Sequence, residues 1–413
     1  MLIYDVPIQA DNVYIENVGT GLRFAENSFG RYMTFRNSRI SQTTENGIHI
    51  KSQTLRYIDM TGSVVDRAGM SGIYLDEDDL VLSIINGTVS RSNQYGIYAL
   101  YNARNASVLI NGTTFNSNNQ DGLYINYPRY LFLTKCTFVN SYQPNTYAIN
   151  IDFGHYINEN SRATIEITNS LFEHNLRPVV RVTTEDHYLD LTLLVNIHKN
   201  IFRNNSNSAM EIHPKPGTVL LIQNNKIEYN NEKSHLIYLH PKHSAYGKQW
   251  LNDEVQIVGN QFSNNNGLTM VYINPTDKAK NPVKLNDNIF IDNYATKGVI
   301  RTTSANYMMH YNILENPSSV YELYADVNGD DVINATFNWW GSAVEAFADK
   351  RIFDKTDALN TAEVVYIPML AGKEFTCLAV NNCSNHGECI RPDRCRCDNG
   401  WQGATCDQLS CMQ

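Results

Sequence analysis

One short pattern, apolar-x-apolar-x-x-Asn-x-aromatic-x-x-Asn, recurs along most of this chain and narrows what it can fold into. It reads SVLINGTTFNSNN, LFLTKCTFVNSY, TIEITNSLFEHN, LVNIHKNIFRNN, LLIQNNKIEYNN, VQIVGNQFSNNN, VKLNDNIFIDN and YMMHYNILENP. Its large apolar station is Phe115, Phe138, Phe172, Phe202, Ile227, Phe262, Phe290, Leu314 and Trp340, with Ile40, Val65 and Val89 upstream. A repeat of roughly 22 to 35 residues is the period of a stacked solenoid.

Asparagine accompanies each station. Asn200, Asn225, Asn260, Asn288, Asn312 and Asn338 precede it, and Asn118, Asn175, Asn205, Asn230, Asn265 and Asn293 follow it. The chain holds 51 asparagines, many inside apolar runs where a buried amide without a partner is costly. Stacked coils remove that cost. Equivalent residues lie ~4.8 Å apart, and each amide can bond to the one above.

A second strand follows each turn, often after glycine: Gly47-Ile48-His49-Ile50, Gly72-Ile73-Tyr74-Leu75, Gly96-Ile97-Tyr98-Ala99, Gly122-Leu123-Tyr124-Ile125. Alternation of period two gives one buried and one solvated face. The strict hexapeptide period of a left-handed β-helix is missing. The expected fold is all-β, a right-handed single-stranded parallel β-helix of about twelve coils over residues 1–345. Ala343, Val344, Ala346, Phe347 and Ile352 suggest a short helix over 343–353. It would cover the end of the stack, with a connecting strand completing 346–376.

Seven of the eight cysteines lie beyond residue 376, which points to an oxidising compartment. From Cys377 they read Cys-x5-Cys-x5-Cys-x5-Cys-x-Cys-x8-Cys, with Asn385-His386-Gly387-Glu388 and Asn399-Gly400-Trp401-Gln402-Gly403 as turns. Spacing alone leaves many pairings open. This stretch, 377–406, resembles an EGF-like module. The resemblance implies Cys377 with Cys389, Cys383 with Cys395, and Cys397 with Cys406. Lys373-Glu374-Phe375-Thr376 lacks the acidic residues of a calcium-binding EGF module, so no calcium is expected. Cys411 is left over, and 407–413 is read as the start of a further module.

The order of β-helix, Asn338-Trp339-Trp340-Gly341 ending and EGF cysteines is similar to that of the bark beetle (Anakonda) family, large single-pass membrane proteins of epithelial tricellular junctions. The resemblance implies a non-enzymatic extracellular structural or adhesion region on the outer side of the plasma membrane at cell–cell junctions, or a secreted one. It would touch the membrane only through parts outside this stretch. Met1-Leu2-Ile3-Tyr4-Asp5 lacks an export signal and no apolar run is long enough to span a bilayer, so a piece of a longer polypeptide is expected. The formal charge of −9, without a basic patch, argues against a nucleic-acid partner.

The rival is a carbohydrate-active β-helix enzyme, a polysaccharide lyase or glycoside hydrolase. That chemistry needs clustered carboxylates. Glu173, Glu228 and Glu315 share a column interrupted by Arg203, Ser263 and Ile291. Asp76 and Asp152 share one interrupted by Leu100 and Asn126. Glu185-Asp186-His187 and the trio His235, His240 and His243 read as loops. No catalytic, cofactor or metal residue is therefore expected. His49, Tyr74, Tyr98 and Tyr124 form an outward column, extended by Tyr238 and Tyr272, that would suit a protein or glycan partner. Asn86, Asn105, Asn111, Asn204, Asn334 and Asn382 head glycosylation triplets. Cys136, in the inner column that elsewhere holds Asn, Ser or Thr, reads as a buried free thiol.

Overall fold

The computed structural model describes residues 8–25, 31–52, 54–100, 105–141, 146–154, 162–184, 192–214, 217–240, 254–274, 282–327, 331–373, 383–391, 394–398, 400–403 and 405–409. Among them, three long parallel sheets run the length of a solenoid. Sheet A has 14 strands, from Ile8–Asp11 to Glu363–Val365. Sheet B has 12, from Tyr14–Glu16 to Ile313–Glu315, and sheet C has 13, from Leu22–Phe24 to Ile352–Phe353. Each coil from Ile8 to Ala325 contributes one strand to each sheet in the order A, B, C, and then Val332–Asn334 and Glu363–Val365 extend sheet A and Ile352–Phe353 extends sheet C.

The apolar stations stack as the periodicity requires. Ile40, Val65, Val89, Phe115, Phe138, Phe172, Phe202, Ile227, Phe262, Phe290 and Leu314 are successive register partners in sheet B. Trp340 follows, since Trp339 bridges to Ile313. All are buried in one continuous core. The phenyl rings lie face to face, 4.5 Å apart for Phe115 and Phe138 and 4.4 Å for Phe262 and Phe290.

The corner from A to B explains the first asparagine column. It is two residues long in coil after coil, as at Asn37-Ser38, Gly112-Thr113 and Lys199-Asn200. Its first residue is left-handed: φ is 46° at Asn37, 64° at Gly112, 57° at Lys199 and 57° at Tyr311. That conformation costs a non-glycine residue about 1–2 kcal/mol. It aims the second residue inward, where a ladder offsets the cost. Asn225 Oδ1 accepts both the backbone N–H of Asn200 (3.0 Å) and its Nδ2 (3.1 Å), while Asn200 Nδ2 also donates to the Ile167 carbonyl (2.8 Å). The same three bonds recur at Asn225, Asn260, Asn288 and Asn312. Upstream the column holds shorter groups, Ser38, Ser63, Thr113, Cys136 and Ser170. Cys136 is a buried free thiol whose Sγ donates to the carbonyls of Ile110 and Thr134. Burial pushes its thiol up to about 11. The B-to-C corner repeats the arrangement through Asn175, Asn205, Asn230, Asn265 and Asn293.

The solenoid runs past residue 345. Ile352 pairs with Leu323, and Glu363–Val365 pairs with Val332–Asn334. The expected helix is one turn, Glu345–Asp349, inserted in this last coil. It buries Ala348, while Val344 (61% exposed) and Phe347 (46%) face outward, because so short a turn presents only one small side chain to the core. Residues 366–373 complete the cover. Tyr366 packs edge-on to Trp340, the Leu370 N–H bonds to Asn338, and Lys373 pairs with Glu315 at 2.8 Å.

In the C-terminal module, Gly387–Arg391 and Arg394–Cys397 form an antiparallel hairpin. Cys383 is bonded to Cys395 and Cys397 to Cys406. Cys389 is disulfide-bonded too, and Cys377, Asn382 and Cys411 lie outside the described residues. Gln408–Leu409 pairs with Trp401–Gln402, so the chain just beyond Cys406 folds back on this module.

Candidate binding surface

Sheet C carries one outward column through all of its strands. Register places Arg23, His49, Tyr74, Tyr98 and Tyr124 in line, then Asn150, Arg181 and Glu211, then Tyr238, Tyr272, Arg301, Tyr324 and Phe353. The sequence-predicted rings are thus brought together, and Tyr238 and Tyr272 belong to the same column. The inward neighbours of each ring are buried isoleucine, leucine, valine or alanine, which fixes the outward direction.

The first aromatic group is a continuous ridge. Ring centroids are 4.8 Å apart for His49 and Tyr74, 5.7 Å for Tyr74 and Tyr98, and 5.3 Å for Tyr98 and Tyr124. Tyr95 stacks on Tyr98 at 4.1 Å. Burial pushes the Tyr74 and Tyr95 hydroxyls up to about 12, and burial with the Arg23 charge holds His49 below its ordinary value. The rings are half-buried and keep an edge to solvent.

The second group mixes rings with cations. Tyr238 and Tyr272 stack at 5.4 Å, the Arg301 guanidinium lies 4.6 Å from the Tyr272 ring, and Lys297 lies 4.8 Å from Tyr324. His235 is no exposed loop residue: its ring packs tilted against Tyr272 and bonds Thr269 at 2.8 Å, and burial with the Arg301 and Lys297 charges draws it down to about 4. His243 and Glu185-Asp186-His187 lie outside the described residues. Between the groups, Arg181 Nε approaches Glu211 Oε1 at 3.8 Å, while His213 Nε2 sits 3.0 Å from that oxygen.

Several partners escaped sequence reasoning, Tyr95 and Arg301 among them. Tyr95 precedes the glycine of its strand, a position with no period to mark it. Arg301 was hidden by Gly298, which suggests the glycine station; register gives that station to Val299 and so turns Arg301 outward.

The carboxylate columns are built differently. Glu173, Arg203, Glu228, Ser263, Ile291 and Glu315 are register partners. Each glutamate has its own cation: Arg203 on Glu173 at 2.8 Å, Lys226 on Glu228 at 2.7 Å, and Lys373 on Glu315. Asp152 is next to Asn126 in register and accepts the Thr183 hydroxyl at 3.0 Å. Among the described residues no three His, Cys, Asp or Glu side chains gather as a metal site.

The triplet residues Asn86, Asn105, Asn111, Asn204 and Asn334 are all exposed. Asn111 and Asn334 end strands of sheet A, and the others lie in turns. None of the described triplets lies on a strand of sheet C.

These features meet known proteins at several points. The profile of the right-handed β-helix region family matches residues 71–246, and that of the Platelet endothelial aggregation receptor 1-like EGF domain matches 373–413. The chain is similar to Protein bark beetle of Drosophila melanogaster. The two are 26% identical over 298 residues, 69% of this chain and 8% of bark beetle, so the chain spans a small part of that relative's length. No solved structure matches it. An EGF-like module with disulfides marks an extracellular chain. No helix among the described residues is long and apolar enough to cross a membrane.

Proposed function

We propose that this chain is a non-enzymatic extracellular region that acts as a rigid spacer and adhesion surface at epithelial cell–cell junctions, with sheet C as its partner-binding face. The observation that carries the reading is the aromatic ridge His49–Tyr74–Tyr98–Tyr124, held half-exposed on a sheet that cannot flex. A solenoid adds length coil by coil without adding hinges. Aromatic rings fixed by neighbours give contact area at low entropic cost. The neutralised glutamates support a structural role for the carboxylate columns, and similarity to bark beetle supports the junctional setting.

Beads coated with the chain are expected to bind epithelial cell surfaces. The double variant Tyr98→Ser/Tyr124→Ser is expected to lose that binding while keeping most of its melting temperature. A lowered melting temperature with binding unchanged would reject sheet C as the binding face. Release of oligosaccharides from plant or animal polysaccharides by the purified chain would instead establish the enzyme.

A further inference from the structure

We propose that sheet C binds a second copy of this chain, face to face and with the solenoid axes antiparallel. The proposal deepens the adhesion reading and rests on it by naming the partner.

The outward column is self-complementary about its own centre. A two-fold axis along the strands, midway between the Arg181 and Glu211 rungs, sets each Arg181 against the other copy's Glu211. The same operation sets Tyr124 against the rung of Tyr272, which is 9% exposed, and Tyr98 against Arg301, whose guanidinium also pairs with Asp326. Charge meets opposite charge, and a guanidinium meets a ring. An isologous interface demands this reciprocity: if one residue touches another, the reverse contact must also be good. Parallel axes would stack Arg181 on Arg181 and Glu211 on Glu211. A shift of the axis by half a rung, onto either residue, does the same at the centre. The charges therefore disfavour parallel axes and both half-rung shifts.

The central pair has bonding capacity to spare. Arg181 and Glu211 of one chain approach only to 3.8 Å, too far for a hydrogen bond, and their side chains stay 31% and 23% exposed. A carboxylate from a facing copy would meet the exposed part of the guanidinium. Thirteen rungs at ~4.8 Å make a face about 60 Å long, and a width of about 13 Å gives on the order of 800 Å² per copy, the size of a standard specific interface.

The test is sedimentation of the whole purified chain across concentrations. Wild type is expected to show a monomer–dimer equilibrium. Arg181→Glu alone and Glu211→Arg alone each place like charges at the centre twice and are expected to raise the dissociation constant at least about tenfold. A mixture of the two variants restores both opposite-charge contacts and is expected to form a heterodimer of near wild-type affinity. Rescue by mixing is an outcome that misfolded variants cannot give. A monomeric wild type at every concentration, or single variants that dimerise as well as wild type, would overturn the proposal. If coated beads then still bind cells but never one another, adhesion stands and the second copy is rejected as the partner. If they bind neither, both readings fail.

Discussion

The Glu322 carboxylate accepts both the backbone N–H of Asn316 (2.8 Å) and its side-chain Nδ2 (2.7 Å), closing the second asparagine ladder where no further coil supplies an amide. Arg351 completes the cap. It donates to Glu322 at 2.9 Å and to the Asn316 carbonyl at 2.7 Å, and Glu322 is 1% exposed. The ladder thus ends on a buried ion pair in place of an amide. Glu322→Ala leaves the buried Asn316 amide and the Arg351 guanidinium without their carboxylate, so a loss of about 3–5 kcal/mol is expected by urea unfolding. The control is Glu315→Gln. It breaks the exposed pair with Lys373 and should cost about 0–1 kcal/mol.

Much of this was legible in the sequence. The phenylalanine and asparagine columns announce themselves because each coil must bury the same kind of group at the same station. What stayed hidden depends on neighbours in space. Lys199, Tyr229, Tyr311 and Phe337 hold left-handed corners that their identities do not suggest, because the ladder beside each one enforces the turn. Ile352–Phe353 and Glu363–Val365 are too short to show a period, and only pairing reveals them as the last coil. Arg181 and Glu211 lie thirty residues apart in sequence, and only the register makes them neighbours.

Glycine at the start of the early sheet C strands answers a steric demand. A Cβ on Gly96 would stand 2.3 Å from the Gly122 carbonyl oxygen in the next coil. Gly96→Ala is expected to destabilise by at least about 1–3 kcal/mol. Gly19 meets nothing within 4 Å, and Gly19→Ala should leave the unfolding midpoint unchanged.

Two buried carboxyls set a pH dependence. Burial pushes Asp121 up to about 7, against hydrogen bonds from the Tyr147 N–H and Asn150, and pushes Glu232 up to about 7 as well. The folded chain holds them protonated where the unfolded chain, with carboxyls near ~4, has lost the protons. Their contribution to stability is fully present below that ordinary value and is lost as pH rises through about 7. Measured against Asp121→Asn with Glu232→Gln, the wild-type urea midpoint should fall between about pH 4 and about pH 7.

The C-terminal module depends on its cross-links, since so short a segment buries little core. Cys397→Ser with Cys406→Ser is expected to cost the module about 2–5 kcal/mol. Proteolysis should then cut beyond residue 373, while circular dichroism shows the solenoid melting as in wild type.

The stacked register is tested most directly by distances between spin labels on one outward column of sheet B. Thr88 and Gln261 are six rungs apart, and Tyr14 and Gln261 are nine. With labels at Thr88→Cys and Gln261→Cys, then at Tyr14→Cys and Gln261→Cys, electron–electron resonance should give narrow distributions near about 29 Å and about 43 Å, in the ratio of the rungs. Broad distributions, or distances that do not grow with the number of coils, would contradict the solenoid and every surface assigned to it.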